Sequence, residues 1–234
     1  MKPLFFWTLA IIFASAQPAR SQTSATQSPT PAATAVSRPA SPQFSGSQPT
    51  AGPAPAATPR KPVYPKAVRG WNVPLGQRDR KAGSVINRFI IHHTTNTGDE
   101  SPYFMRNNER SSCPTWYVTS NGEVIEFIDP VKRPSSTGAA NDYSVAVETQ
   151  NTSRAPLWGI SDESHEAIAQ IAAWLSMQSH LGPYKVDIKL DRTHIIGHNE
   201  AGVNKTVCPG PSMRLDWIVA RAKQIVAEQQ ARSH

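Results

Sequence analysis

Cysteine is scarce in this chain: Cys113 and Cys208 are the only two in 234 residues, too few for a disulfide framework to staple a small fold. Acidic residues are missing altogether before Val63. The longest apolar run near the N-terminus, residues 4–14, falls short of the roughly 20 residues a membrane-spanning helix needs. No cluster of Lys and Arg with interleaved aromatics occurs after residue 62, which removes the usual footprint of a nucleic-acid binder. No internal repeat is visible.

What is present divides into three stretches. Residues 1–16 carry one basic residue, Lys2, then the apolar run, then Ala14-Ser15-Ala16, small residues that suit a signal-peptidase site. This is predicted to be a signal peptide, with a retained N-terminal anchor as the alternative. Residues 17–62 are Pro, Ala, Ser, Thr and Gln, with Phe44 as the one aromatic. Such a composition buries too little apolar surface to offset chain entropy and predicts a disordered tether. Of 24 Lys and Arg residues, Lys2, Arg20, Arg38, Arg60 and Lys61 precede Val63, so residues 63–234 hold 19 basic and 17 acidic residues, a net of +2. The basic pI of about 9.6 therefore belongs mostly to the signal and the tether. A sparsely positive tether favours an anionic surface such as a cell wall. The expectation is a secreted, extracytoplasmic protein, in the cell wall or periplasm, with no stable membrane insertion after signal cleavage.

Residues 63–234 alternate strand and helix signals, which predicts one α/β domain of ordinary size. Residues 63–85 hold Tyr64, Trp71 and many turn formers, and are expected to wrap the surface ahead of the first strand. Residues 88–95 form that strand, and residues 99–110 a short helix. Two β-forming runs, 115–119 and 123–128, flank Ser120-Asn121-Gly122 and read as a hairpin in which Asn-Gly supplies positive φ angles. Residues 144–149 form another strand, with Glu148 near its end. Ser161 caps a helix reaching to about His180, with Gly182-Pro183 ending it. Residues 193–197 make a short strand, and residues 214–231 a last helix with Leu215, Ile218, Val219, Ala222, Ile225 and Val226 as its buried stripe.

The chemistry gathers around residues 193–211, THIIGHNEAGVNKTVCPGP. An apolar pair delivers His198 to a strand end, and a loop leads to Cys208 beside Pro209 and Gly210. His and Cys held in this way are candidate zinc ligands. A catalytic zinc takes three protein ligands and leaves a position for water, so one more must come from elsewhere. His92, at the end of the β-branched run Phe89-Ile90-Ile91, is the best candidate. Two neutral imidazoles and one thiolate leave zinc a net charge of +1, which keeps it electrophilic while lowering a bound water's pKa. Two blander readings stand beside this one: ordinary strand-end histidines, and a Cys113–Cys208 disulfide that would consume the thiolate.

FIIHHTT, the hairpin around NGEV, SVAVETQN, the helix beginning near Ser161 and GHNEAGVNKTVCPGP occur in that order, and together they resemble the zinc-dependent N-acetylmuramoyl-L-alanine amidases of type 2. That class shares its fold with peptidoglycan recognition proteins and amidase-type phage lysozymes. The resemblance covers roughly residues 70–230. It implies a single domain with a central mixed β-sheet flanked by helices, zinc on His92, His198 and Cys208, and Glu148 as the base. It further implies an oxyanion contact from Thr206, with Lys205 as the alternative. The tyrosine that phage relatives carry before the hairpin falls on Pro114, and a loop histidine of other relatives falls near Thr137. His93 is expected to pack behind the metal; His165, His180, His194 and His234 are expected at surface or structural positions. The function implied is hydrolysis of the amide between N-acetylmuramic acid and L-alanine of the stem peptide, by a monomer acting on peptidoglycan. The alternatives are a recognition module without catalysis and cleavage of a different amide.

Overall fold

The computed structural model describes residues 58–73, 78–101 and 112–233. The expected signal peptide, most of the tether, the helix predicted over 99–110 beyond Ser101, and His234 lie outside these residues. Seven strands form the main sheet: β1 (Thr58–Arg60), β2 (Arg69–Asn72), β4 (Arg88–Ile91), β5 (Trp116–Val118), β6 (Val124–Glu126), β7 (Ser144–Thr149) and β10 (Ile195–Gly197), in the spatial order β1-β2-β6-β5-β7-β4-β10. β7, β4 and β10 run parallel as neighbours, β5 and β6 are the antiparallel hairpin, and β1 closes the edge antiparallel to β2. The sheet is mixed, as expected.

Two helices, α1 (Asp162–Ser176) and α2 (Leu215–Arg232), cover one face. Ile168, Ile171, Ala172 and Leu175 of α1 and Ile218, Ala222 and Ile225 of α2 join Phe89, Ile91, Trp116, Val118, Val145, Val147 and Ile195 in the largest buried cluster. Side chains alternate along a strand, so Ile90, Ala146, Ile196 and Tyr117 project from the other face. There Ile90 and Ile196 pack with Ala140, and Tyr117 with Ile125 and Phe127. This alternation decides which face carries the site.

Four local features depart from the sequence expectations. The hairpin turn has positive φ at Gly122 and not at Asn121. The Gly122 N–H donates to the Thr119 carbonyl at 3.0 Å, a type I turn closed by a left-handed glycine. α1 ends at Ser176 because its apolar stripe has no continuation at Gln178 and Ser179. Beyond it β8 (His180–Leu181) and β9 (Tyr184–Val186) pair around Gly182, and β9 pairs with β3 (Val85–Ile86) in a second, three-stranded sheet. Residues 63–73 do not merely wrap the surface. Tyr64 is 1% exposed, and its ring meets Trp174 at 5.4 Å and Trp116 at 6.2 Å edge-on. Residues 58–60, inside the stretch expected as tether, pair with β2.

Candidate metal centre

The site follows from register. In the parallel trio, Gly197, Ile91 and Val147 stand abreast, and the ladder goes one step further, since the His92 N–H donates to the Val147 carbonyl at 2.8 Å. The next residue on each strand line is His198, His92 or Glu148. Each lies two positions beyond Ile196, Ile90 or Ala146, so all three face away from the helices. Cys208 arrives on the loop after β10. Gly197 permits this, because a Cβ there would meet Pro209 Cδ and Asn199 Oδ1 at 2.6 Å.

The ligand atoms of His92, His198 and Cys208 all lie within 4.8 Å of one another. The His92 and His198 rings are 4.4 Å apart between centroids, and His92 Nδ1 is 3.8 Å from Cys208 Sγ. Zinc bonds of about 2.0–2.3 Å in tetrahedral geometry separate neighbouring ligand atoms by roughly 3.3–3.8 Å, so small side-chain adjustments suffice. Cys208 and Cys113 are both free thiols, which disposes of the disulfide alternative.

Electrostatics point the same way. Burial, with the nearby charges of His198 and His93 adding to it, lowers His92 to about 3. Burial raises Cys208 to about 12, Glu148's charge adding and the His93 N–H opposing. Burial, then Glu100's charge, raises Glu148 to about 8. Burial lowers His198 as well, against a side-chain hydrogen bond to Asn204 that favours the protonated ring. All four groups are driven toward their uncharged forms, which puts two imidazole lone pairs beside a thiol and a carboxyl. A divalent ion fits this donor set, since it supports neutral imidazoles and makes thiolate and carboxylate favourable.

Of the remaining expected residues, Thr206 Oγ1 accepts the Cys208 N–H at 3.1 Å, and Lys205 is exposed. His93 stays out of the ligand cluster: its N–H donates to Cys208 Sγ at 3.4 Å, its Nδ1 meets Asn151 Nδ2 at 3.1 Å, and its ring lies edge-on to Trp158 at 5.2 Å. It packs behind the site as expected. Two groups were not singled out as functional from sequence. Thr137, buried, holds His92 Nε2 at 3.0 Å. Asn151, also buried, accepts the Thr95 N–H at 2.9 Å and contacts His93. A cleft of about 430 Å³ is lined by Thr94, Thr95, Asn96, Glu100, Arg154 and Trp158 among others, and so includes the threonine that Asn151 holds. A second cavity of equal volume lies against α1, and none of its lining residues belongs to the cluster.

The family model described as N-acetylmuramoyl-L-alanine amidase matches residues 82–211, more than half of the chain and the whole of the cluster. The chain belongs to that family. Membership places it among the peptidoglycan amidases. A solved structure agrees in fold. A selenomethionine derivative of AmpD superposes with a TM-score of 0.50 at 17% identity, over 69% of this chain and 95% of that one. The endolysin N-acetylmuramoyl-L-alanine amidase LysCS from Clostridium intestinale URNW gives 0.48 at 15% identity, over 68% and 96%. The catalytic domain of XlyA gives 0.48 at 14%, over 65% and 97%. No curated protein matches by sequence.

Proposed function

We propose that the chain is a secreted, zinc-dependent hydrolase that cleaves the amide between N-acetylmuramic acid and the L-alanine of the stem peptide. The observation that carries this reading is the row His198, His92, Glu148 at the ends of three adjacent parallel strands, with Cys208 Sγ 3.8 Å from His92 Nδ1. His92, His198 and Cys208 would hold zinc, which when bound polarises the amide carbonyl and makes water acidic enough to attack near neutral pH. Glu148 takes the proton of the attacking water and returns it to the departing L-alanine nitrogen. Its buried position supports that role, because a carboxylate whose proton affinity is raised toward neutrality both accepts and donates. The Thr206 hydroxyl accepts from the Cys208 backbone and keeps its own proton to donate to the developing oxyanion, which favours it over exposed Lys205.

The N-terminal apolar segment and the acid-free stretch behind it support export and reach along an anionic wall. Peptidoglycan is the partner, met by a monomer, and among the described residues no helix is long and apolar enough to cross a membrane. Zinc content of the full chain, together with mass spectrometry of products from purified peptidoglycan, tests the proposal. One zinc per chain and peptides beginning at a free L-alanine amine are expected, with both reduced in Cys208→Ser. Metal-free protein that holds muropeptides uncut would make it a recognition module instead, and peptides cut at another bond would reassign the amide.

A further inference from the structure

His92 is the most buried of the three ligands, and its outer nitrogen is not left to solvent. His92 Nε2 lies 3.0 Å from Thr137 Oγ1, and that hydroxyl has a second neighbour in Ser136 Oγ at 3.3 Å. Thr137 stands 45 residues from His92 in sequence. It belongs to the 3₁₀ turn region ahead of β7, and its backbone N–H donates to Asn141 Oδ1 at 2.8 Å, as the Ser136 N–H does at 3.2 Å. Asn141 is in turn gripped from behind by Arg80, whose Nη1 donates to the Asn141 carbonyl at 2.9 Å and to the Asp142 carbonyl at 3.1 Å. The same guanidinium donates to the carbonyls of Val131 at 3.2 Å, Pro130 at 3.2 Å and Lys132 at 2.9 Å. Arg80 is only 3% exposed. Five carbonyls on one buried guanidinium make a hub, and a fork of fixed donors is what holds a loop of irregular backbone in one shape.

We infer that Thr137 is a positioning residue for the metal ligand His92, held in place by Asn141 and Arg80, and that this relay fixes the imidazole as its Nε2–H tautomer with Nδ1 free toward Cys208 and His198. The direction of the bond follows from the ring. A metal ligand must offer a lone pair, Nδ1 is the nitrogen facing Cys208 Sγ, and the proton of the neutral ring must then sit on Nε2 and point at Thr137 Oγ1. The threonine hydroxyl accepts that proton's hydrogen bond and passes its own to Ser136 Oγ. Arg80 stands just outside the segment that the family model matches, residues 82–211, so the hub is supplied by the chain ahead of it. The inference deepens the zinc reading and rests on it.

Three full-length variants separate the two. Thr137→Val keeps the shape and removes the acceptor; Thr137→Ser keeps the acceptor; Arg80→Lys keeps the charge and loses the fork. Zinc affinity is read by chelator competition, and the His92 tautomer by nitrogen-15 NMR of metal-free protein. Zinc affinity is expected to fall about 10–100-fold in Thr137→Val, with the Nε2–H signature of His92 lost, and to be restored in Thr137→Ser. Arg80→Lys is expected to show the same loss of tautomer preference through a loosened loop. Wild-type zinc affinity and an unchanged tautomer in Thr137→Val would overturn the relay while leaving the metal centre intact. A wild-type chain that binds no zinc would overturn the metal reading and the inference with it. If Arg80→Lys fails to fold, Thr137→Val and Thr137→Ser still decide the matter.

Discussion

Glu148 is separated from ordinary surface carboxylates by one thing, its burial. It is 9% exposed at the end of a buried strand, so its proton is held more tightly than in water and its charge costs more. Glu148→Gln preserves volume and hydrogen-bonding shape while removing the proton acceptor. Zinc content should stay at the wild-type level while turnover of purified peptidoglycan falls about 10²- to 10⁴-fold, and near-normal turnover would remove Glu148 from the mechanism. His165 shows the opposite use of a titratable group. Expected at a surface or structural position, it is 1% exposed. Its Nδ1 lies 2.7 Å from the Ser161 carbonyl, and its Nε2 accepts the Arg214 N–H at 3.1 Å. A neutral ring protonated on Nδ1 thus joins the start of α1 to the start of α2. Burial lowers its pKa below the ordinary 6.5, so the unfolded chain binds the proton more readily than the folded one. The stabilisation is present above about pH 6.5 and is lost as pH falls below it. Wild type should exceed His165→Asn by about 1 kcal/mol near pH 7.5, with the gap closing toward pH 5 in urea titrations. His92 and Glu148 titrate alike in both proteins and cancel. A gap that stays constant with pH would show that the ring works by packing alone.

At the level of elements, the strands that carry the site were legible because each is a short β-branched or apolar run ending in a polar residue, as in Phe89-Ile90-Ile91-His92 and Val145-Ala146-Val147-Glu148. Their adjacency was not. Register between β10 and β4 joins residues about a hundred positions apart, and no local pattern encodes it. β1 and β2 were illegible for a different reason. Thr58-Pro59-Arg60 has the composition of the preceding tether, and what recruits it lies far away in β6. There Glu126 is fully buried and accepts from Arg60 Nη1 at 2.6 Å, Val63 N at 2.8 Å, Tyr64 N at 2.9 Å and Trp116 Nε1 at 3.1 Å. A buried carboxylate is tolerable only when so completely satisfied. Thr137 shares this illegibility: a hydroxyl 45 residues from His92 in sequence carries no signal of its own until the loop is folded. Glu126→Ala would strand two backbone N–H groups and an indole N–H, each costing about 1–3 kcal/mol when unsatisfied. A loss of about 3 kcal/mol or more in denaturant unfolding is expected, with faster hydrogen exchange at Val63 and Tyr64. Unchanged exchange at those two amides would mean that the segment is held by the Tyr64 ring and not by the carboxylate.

For the whole molecule, the segment that defines the family and the segment that folds are not the same. Residues 82–211 contain His92, Glu148, His198 and Cys208, which is why the chemistry could be read from motifs. They omit β1, β2 and α2. Yet Ile218, Val219, Ala222 and Ile225 of α2 are buried, all four in the cluster that α1 and the sheet share, and Tyr64 packs edge-on against both Trp116 and Trp174. Burying a large aliphatic or aromatic side chain is worth about 1.5–3 kcal/mol, and a domain's net stability is only about 5–15 kcal/mol. Losing Tyr64, Ile218, Val219 and Ile225 together therefore removes an amount comparable to the whole margin. A fragment of residues 82–211 should fail to unfold cooperatively by calorimetry and should show little near-ultraviolet circular dichroism, whereas residues 58–234 should unfold in one transition. The four proposed metal and proton-transfer residues are present in both, so the shorter fragment should also bind zinc weakly despite a complete ligand set. A shorter fragment that melts cooperatively and holds zinc as tightly as the longer one would mean that strand register alone assembles the centre, and that the helix and the N-terminal strands merely cover it.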